Sequence, residues 1–167
     1  MKNLKSILII ALIIISNSLA AQKFGHVNSL ELLQSMPDVA SAEKSLEEFG
    51  NKLKIQIQNM YMEYQNKVTA YQQDEAGLSA GIKEVRVTEI QELQQRVGQF
   101  EQSAQQDLLK EKERIYAPIL KSVEDAITAV AEENKYTYIF DTSSGSVLYA
   151  ADSDDVASLV KKKLNLN

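Results

Sequence analysis

Apolar and polar positions alternate with a helical rhythm through most of the chain. Leu46, Phe49, Leu53, Ile57, Met60, Tyr64, Val68 and Tyr71 recur at gaps of 3, 4, 4, 3, 4, 4 and 3. Leu93, Val97, Phe100, Ala104, Leu108, Ile115 and Ile119 keep the same spacing, with one position near Glu111 left polar. Each run therefore carries one narrow apolar stripe, and the remaining surface is mostly Gln, Glu, Lys and Asn. A helix with a single apolar face needs a single partner, and the other run is the nearest. The pattern predicts a long antiparallel helical hairpin over residues 38–116, an arm with its tip near 77–81. The gaps average between the heptad and hendecad values, which predicts a nearly straight pair. Two glycines, Gly77 and Gly81, mark the turn. An outgoing arm from Asp38 to Ala76 would reach roughly 55–60 Å at the helical rise. That exceeds the width of a small domain, so the arm is expected to project.

The flanks follow different periods. Lys23–Asn28 is a strand candidate, Ser29 an N-cap for a short helix over Leu30–Met36, and Pro37 closes that helix. Asp38 or Ser41 is placed to cap the long arm. Pro118 interrupts the return helix, as a fixed kink or as a hinge like the glycine tip at Gly77 and Gly81. A helical face resumes through Val123, Ala126, Ile127 and Val130, with Asn134 as its C-cap. Tyr136–Phe140 then reads as a strand, Asp141–Ser146 as a turn, and Val147–Ala150 as a returning strand, a β-hairpin. Asp154 or Asp155 would cap a final helix bearing Val156, Leu159, Val160 and Leu164, with three lysines in its last turn.

Residues 21–37 and 117–167 thus form an expected β/α body of three short strands and two short helices. So small a sheet is marginal alone and leaves its edges open. Tyr136, Tyr138 and Phe140 are expected on one face and Ile139 on the other, so both faces need cover. The body is therefore expected to be a sheet shared by several copies, through Val27, Tyr136, Tyr138, Ile139, Phe140, Leu148 and Tyr149. The fold class expected is α+β, mostly α, with a coiled-coil arm and a small body completed by oligomerisation.

The first 20 residues open with two lysines, continue as an apolar run from Ile7 to Ile15, and end in small residues at Ser18 and Ala20. This is the layout of a signal peptide, too short for a membrane span, with cleavage expected after Ala20 or Ala21. Export follows, with no stable membrane insertion. The chain has no cysteine and a formal charge of −5, or about −7 once Lys2 and Lys5 leave with the leader. Net acidity argues against nucleic acid as a partner. A lone histidine, His26, with no cysteine offers no metal site. No phosphate-cradling glycine loop is present, and no cofactor is expected. An enzyme is disfavoured because the carboxylates lie along wet helix faces; Asp141 alone looks placed, and turn capping explains it. Met60, Tyr64 and Val68 fit seam packing. Tyr61 and Met62 fall beside the seam and, with Tyr71, are candidate contacts for a client chain.

Val27-Asn28, Ala117-Pro118-Ile119, Tyr136 to Asp141, Leu148-Tyr149-Ala150 and Asp155-Val156-Ala157, in this order behind a leader and a helical hairpin, resemble the Skp/OmpH periplasmic chaperones over essentially the whole mature chain. The resemblance implies a periplasmic homotrimer with a β-barrel body and three helical tentacles. These would hold unfolded outer-membrane proteins in a cavity between the arms and prevent their aggregation, without ATP. Two departures stand out. Ala157 replaces a threonine usual in the family's last cap, and well-known members are strongly basic whereas this chain is acidic. Lys83 and Arg86 are the clustered arm-tip cations, and no lipopolysaccharide site is transferred to them. A structural coiled-coil adaptor or spacer of the cell envelope is the alternative function.

Overall fold

The computed structural model describes residues 22–166. The expected leader lies outside the described residues. The chain forms two compact units: one takes the chain through Leu33 and again from Ser122, the other is Gln34–Lys121.

The second unit is the helical hairpin. Helix α2, Pro37–Asp74, leads through a single 3₁₀ turn at Glu75–Gly77 into α3, Ala80–Asn134, whose first part belongs to this unit. Cross-helix partners confirm the antiparallel direction. Gly50 neighbours Leu108, Tyr61 reaches Glu101, Lys67 reaches Glu89, and Asp74 reaches Arg86. Leu93, Val97 and Ala104 of the stripe on α3 are buried, and Leu53, Ile57, Met60 and Tyr64 of α2 are half-buried. Stripe burial of this kind, more than helix propensity, holds such helices. The polar seam residue Glu111 stays half-buried because Arg114, one turn on, donates to both its oxygens at 2.6 and 2.8 Å. That pair holds the Glu111 carboxyl below its ordinary pKa and the Arg114 guanidinium above its own.

Three local expectations are corrected. Pro37 starts α2 instead of closing the helix before it, because its missing N–H costs nothing in a first turn. Neither Asp38 nor Ser41 caps it: Met36 occupies the cap position, and the Ser41 hydroxyl donates back to the Pro37 carbonyl. At the tip only Leu78 and Ser79 are outside helix, and Gly81 is already helical. Helix α3 runs through Pro118, whose ring nitrogen leaves one backbone bond unmade.

The other unit is built on two parallel strands, β1 (Phe24–Val27) and β2 (Tyr138–Asp141), in register Phe24↔Tyr138 to Val27↔Asp141. Between them in sequence come α1 (Ser29–Gln34), α2 and α3; after them comes α4 (Ala157–Lys163). The parallel pairing overturns the expected β-hairpin, since Val147–Ala150 forms no strand. The second edge of β1 is met instead by a bridge from His26 to Asp155 and by the Val156 N–H on the His26 carbonyl.

Period-two alternation then sorts the faces. Gly25 looks inward onto Val156 and Tyr136, and on the same side of β1 Val27 is buried, as is Val156. Tyr136 therefore lies on the face opposite Tyr138, contrary to expectation, because it precedes β2 and is not part of its alternation. Phe24, Tyr138 and Phe140 form the outward face.

Caps fasten the ends of this unit. Asn28, not Ser29, caps α1: its Oδ1 accepts the Glu31 N–H, and its side-chain amide donates to the Glu31 carboxylate. Ser29 instead donates its N–H and hydroxyl to Asp141. Asn134 does end α3. Lys135 follows in the left-handed conformation at φ 58°, and the Tyr136 N–H bonds back to the Ala131 carbonyl. The Lys23 ammonium bonds the Asn134 carbonyl and sits 4.0 Å from the Tyr136 ring centre. Asp155, of the two caps expected, accepts the Ala157 N–H at 2.7 Å before α4.

Candidate functional site

On the hairpin, the three expected client contacts differ in setting. Tyr61 is 44% exposed, yet its hydroxyl donates to the Glu101 carboxylate across the helix pair at 3.2 Å. This bond, then the nearby negative charge, raises the phenol pKa. Met62 is 57% exposed, free of the seam. Tyr71 is half-buried and donates to Glu75 at 3.4 Å; loss of water around it, more than that carboxylate, raises its pKa. Tyr61 and Met62 thus offer apolar area to solvent and Tyr71 less. Ile55, one heptad before Met62, is equally exposed and extends the same strip. Leu109, Ile82 and Val85 add exposed apolar area on α3. Their spacing was visible in the sequence, but they fell outside the seam pattern.

Gly77 and Gly81 have no positive φ and no neighbour within 4 Å of the side-chain direction, so neither is required by packing. At the tip, Arg86 is engaged by Asp74 at 3.3 Å, leaving Lys83 without its expected companion cation. A pair this exposed contributes little stability.

In the sheet unit, Tyr138 stacks on Phe24 and on Phe140, Phe24 and Phe140 meet tilted, all at ring-centre distances of 6.0–6.2 Å, and the three remain about half exposed. Leu148 and Tyr149, 97% and 86% exposed, stand outside any strand. Val27 is buried within its own unit, and Tyr136 and Ile139 are half-buried. Six of the seven residues expected to join copies thus keep free area. Phe24 belongs with them; a strand alternation read from Phe24 would have found it. His26 contacts the Ala151 carbonyl through Nε2 at 3.0 Å.

Asp141 is spoken for. Burial by itself pushes its carboxyl up, but hydrogen bonds from the Ser29 hydroxyl, the Ser143 N–H and the Ser29 N–H together outweigh that and hold its pKa at about 2. It is a capping group, as its position at the strand end suggested. Among the described residues no His, Asp and Glu cluster could hold a metal ion, and no helix is long and apolar enough to cross a membrane. What this surface offers is contact area.

Residues 23–164 match the family described as Outer membrane protein (OmpH-like). The chaperone protein Skp of Photorhabdus luminescens is 26% identical over 156 residues, 93% of each chain. That of Vibrio cholerae serotype O1 is 28% identical over 162 residues, covering 86% of this chain and 89% of its own. The fold matches a crystal structure from Caulobacter crescentus CB15, described as an outer membrane chaperone (OmpH-like), with a TM-score of 0.76. That match has 13% identity and covers 87% of this chain and 85% of the other, a likeness of fold.

Proposed function

The chain belongs to the OmpH-like family, and from that premise we propose that it is a periplasmic holdase chaperone for unfolded outer-membrane proteins. It works without nucleotide, as a homotrimer whose helical arms surround the client. The observation that carries this reading is the strip of exposed apolar side chains beside the seam. Ile55, Tyr61 and Met62 cost hydrophobic exposure in the free protein and gain by covering a client's apolar groups. Many shallow contacts of this kind bind weakly one by one and hold an unfolded chain collectively.

The assembly rests on the sheet unit. Its two strands are below the size that is stable alone, and Tyr138, Phe140, Leu148 and Tyr149 remain exposed for a neighbouring copy to cover. Pro118, Gly77 and Gly81 are the places where the arm would bend to fit clients of different size. The expected leader would carry the protein to the periplasm, where unfolded outer-membrane proteins are in reach.

The test is light scattering from a denatured β-barrel protein diluted into buffer without ATP. Excess chaperone is expected to suppress aggregation, and an undiminished signal overturns the proposal. Mass measurement of the mature protein in solution tests the trimer. The envelope-spacer alternative is not favoured, since the matched relatives are chaperones.

A further inference from the structure

Two cavities lie along one flank of the helical hairpin and share Glu101 as a common wall. The larger, about 500 Å³, is lined by apolar Leu53, Ile57, Ala104 and Leu108 with Gly50. The smaller, about 250 Å³, lies between Tyr61, Tyr64, Val97 and Gly98. On α2 the lining positions advance by helical steps from Gly50 to Tyr64, and on α3 from Gln94 to Leu108. Residues so spaced share a face, so the two cavities are parts of one groove. Its length is roughly 20 Å at the helical rise. The Tyr61 hydroxyl bonded to Glu101 crosses it between the two parts.

The rim carries the information about what fits. Gln58 and Gln105 edge the larger part and Gln94 the smaller, and each carboxamide both donates and accepts. The two charges on the rim, Lys54 and Glu101, have opposite sign and sit on opposite helices. The groove is thus electrically balanced, with no complement for a polyanion or a polycation. An uncharged extended chain matches it in length and chemistry: about six residues at the strand rise span this distance, with alternate side chains on one side. Its free peptide groups find amides along both walls.

We propose that this groove seats an uncharged extended segment of the client, with its apolar side chains in the two cavities and its peptide groups on Gln58, Gln94 and Gln105. The proposal rests on the chaperone reading and names where on the arm, and to which chemistry, it binds.

Gly98 supplies the test. Gly98 lines the smaller cavity and nothing lies within 4 Å of a Cβ built there, so Gly98→Leu places a bulky side chain at the cavity wall with room at its Cβ, and leucine suits a helix better than glycine. The probe is a fluorescein-labelled, end-capped octapeptide alternating valine and threonine, titrated by anisotropy against the full mature protein. Gly98→Leu is expected to weaken its binding at least fivefold while far-UV circular dichroism is unchanged. Replacing the probe's threonines by glutamate should weaken it as much. Equal binding by the variant, or equal binding of the charged probe, overturns the proposal. A second measurement uses Gln105→p-benzoylphenylalanine: photocrosslinks to the probe are expected, and crosslinks to a second copy of the chain alone overturn it. Aggregation assays separate the two levels. Wild type and Gly98→Leu protecting a denatured β-barrel protein equally well defeats the groove alone, whereas failure of the wild type defeats the chaperone reading.

Discussion

The Asp141 carboxylate holds Ser29 by both its backbone and its side chain, with Oδ1 3.2 Å from the N–H and Oδ2 2.6 Å from the hydroxyl. This joins the end of β2 to the first turn of α1 across 112 residues of sequence. The folded-state pKa is lowered from 3.8 to about 2, so the stabilisation is full above the ordinary value and is lost as pH falls through the folded one. Asp141→Asn is expected to lose about 1 kcal/mol at pH 7, a cap-sized effect discounted for exposure. Near pH 2 the variant and the wild type should converge. Urea denaturation at the two pH values checks both.

Gly25 has no room for a side chain. A Cβ there would lie 2.9 Å from Val156 Cγ1 and 3.1 Å from the Tyr136 ring. Val156 is fully buried and cannot give way. Gly25→Ala is expected to destabilise by about 1–3 kcal/mol, as overpacking does, and chemical denaturation measures it.

Lys135 occupies the left-handed position after α3, at φ 58°, where its Cβ is unfavourable. Lys135→Gly removes that strain and is expected to stabilise by about 1 kcal/mol. A rise in thermal midpoint is the readout; a fall would show that the lysine side chain contributes more than the strain it imposes.

Leu148 and Tyr149 are almost fully exposed in the single chain, so replacing both by serine removes nothing from its own packing. Leu148→Ser with Tyr149→Ser is expected to lower the assembly mass in sedimentation equilibrium while the helical signal persists. An unchanged mass would exclude these two residues from the interface between copies.

Pro118→Ala restores the N–H that α3 lacks there. It is expected to stabilise the helix by about 1–3 kcal/mol. If the arm bends at this point, the stiffer variant will protect a narrower range of client sizes in aggregation assays. Equal protection of small and large clients would mark Pro118 as a static feature.

The hairpin was legible because its cause is local. A stripe repeating every three or four residues needs one partner, and Leu53, Ile57, Leu93, Val97 and Ala104 lie along the seam as their spacing demands. The end of α3 at Asn134 and the turn near Gly77 were equally local. The two strands were recognised from β-branched and aromatic content, but content does not choose a partner. Nothing near Tyr138 in sequence indicates that Phe24, more than a hundred residues away, is its neighbour, or that the pairing is parallel. The expected β-hairpin was the nearest local solution, and the fold rejected it by giving β1 to β2 and leaving Leu148 and Tyr149 open. The same long-range pairing decided which side Tyr136 faces and turned Asp141 into the clasp for Ser29. Periodicity along one chain determined the arm; closure between distant segments, which loop entropy separates from any local signal, decided the sheet.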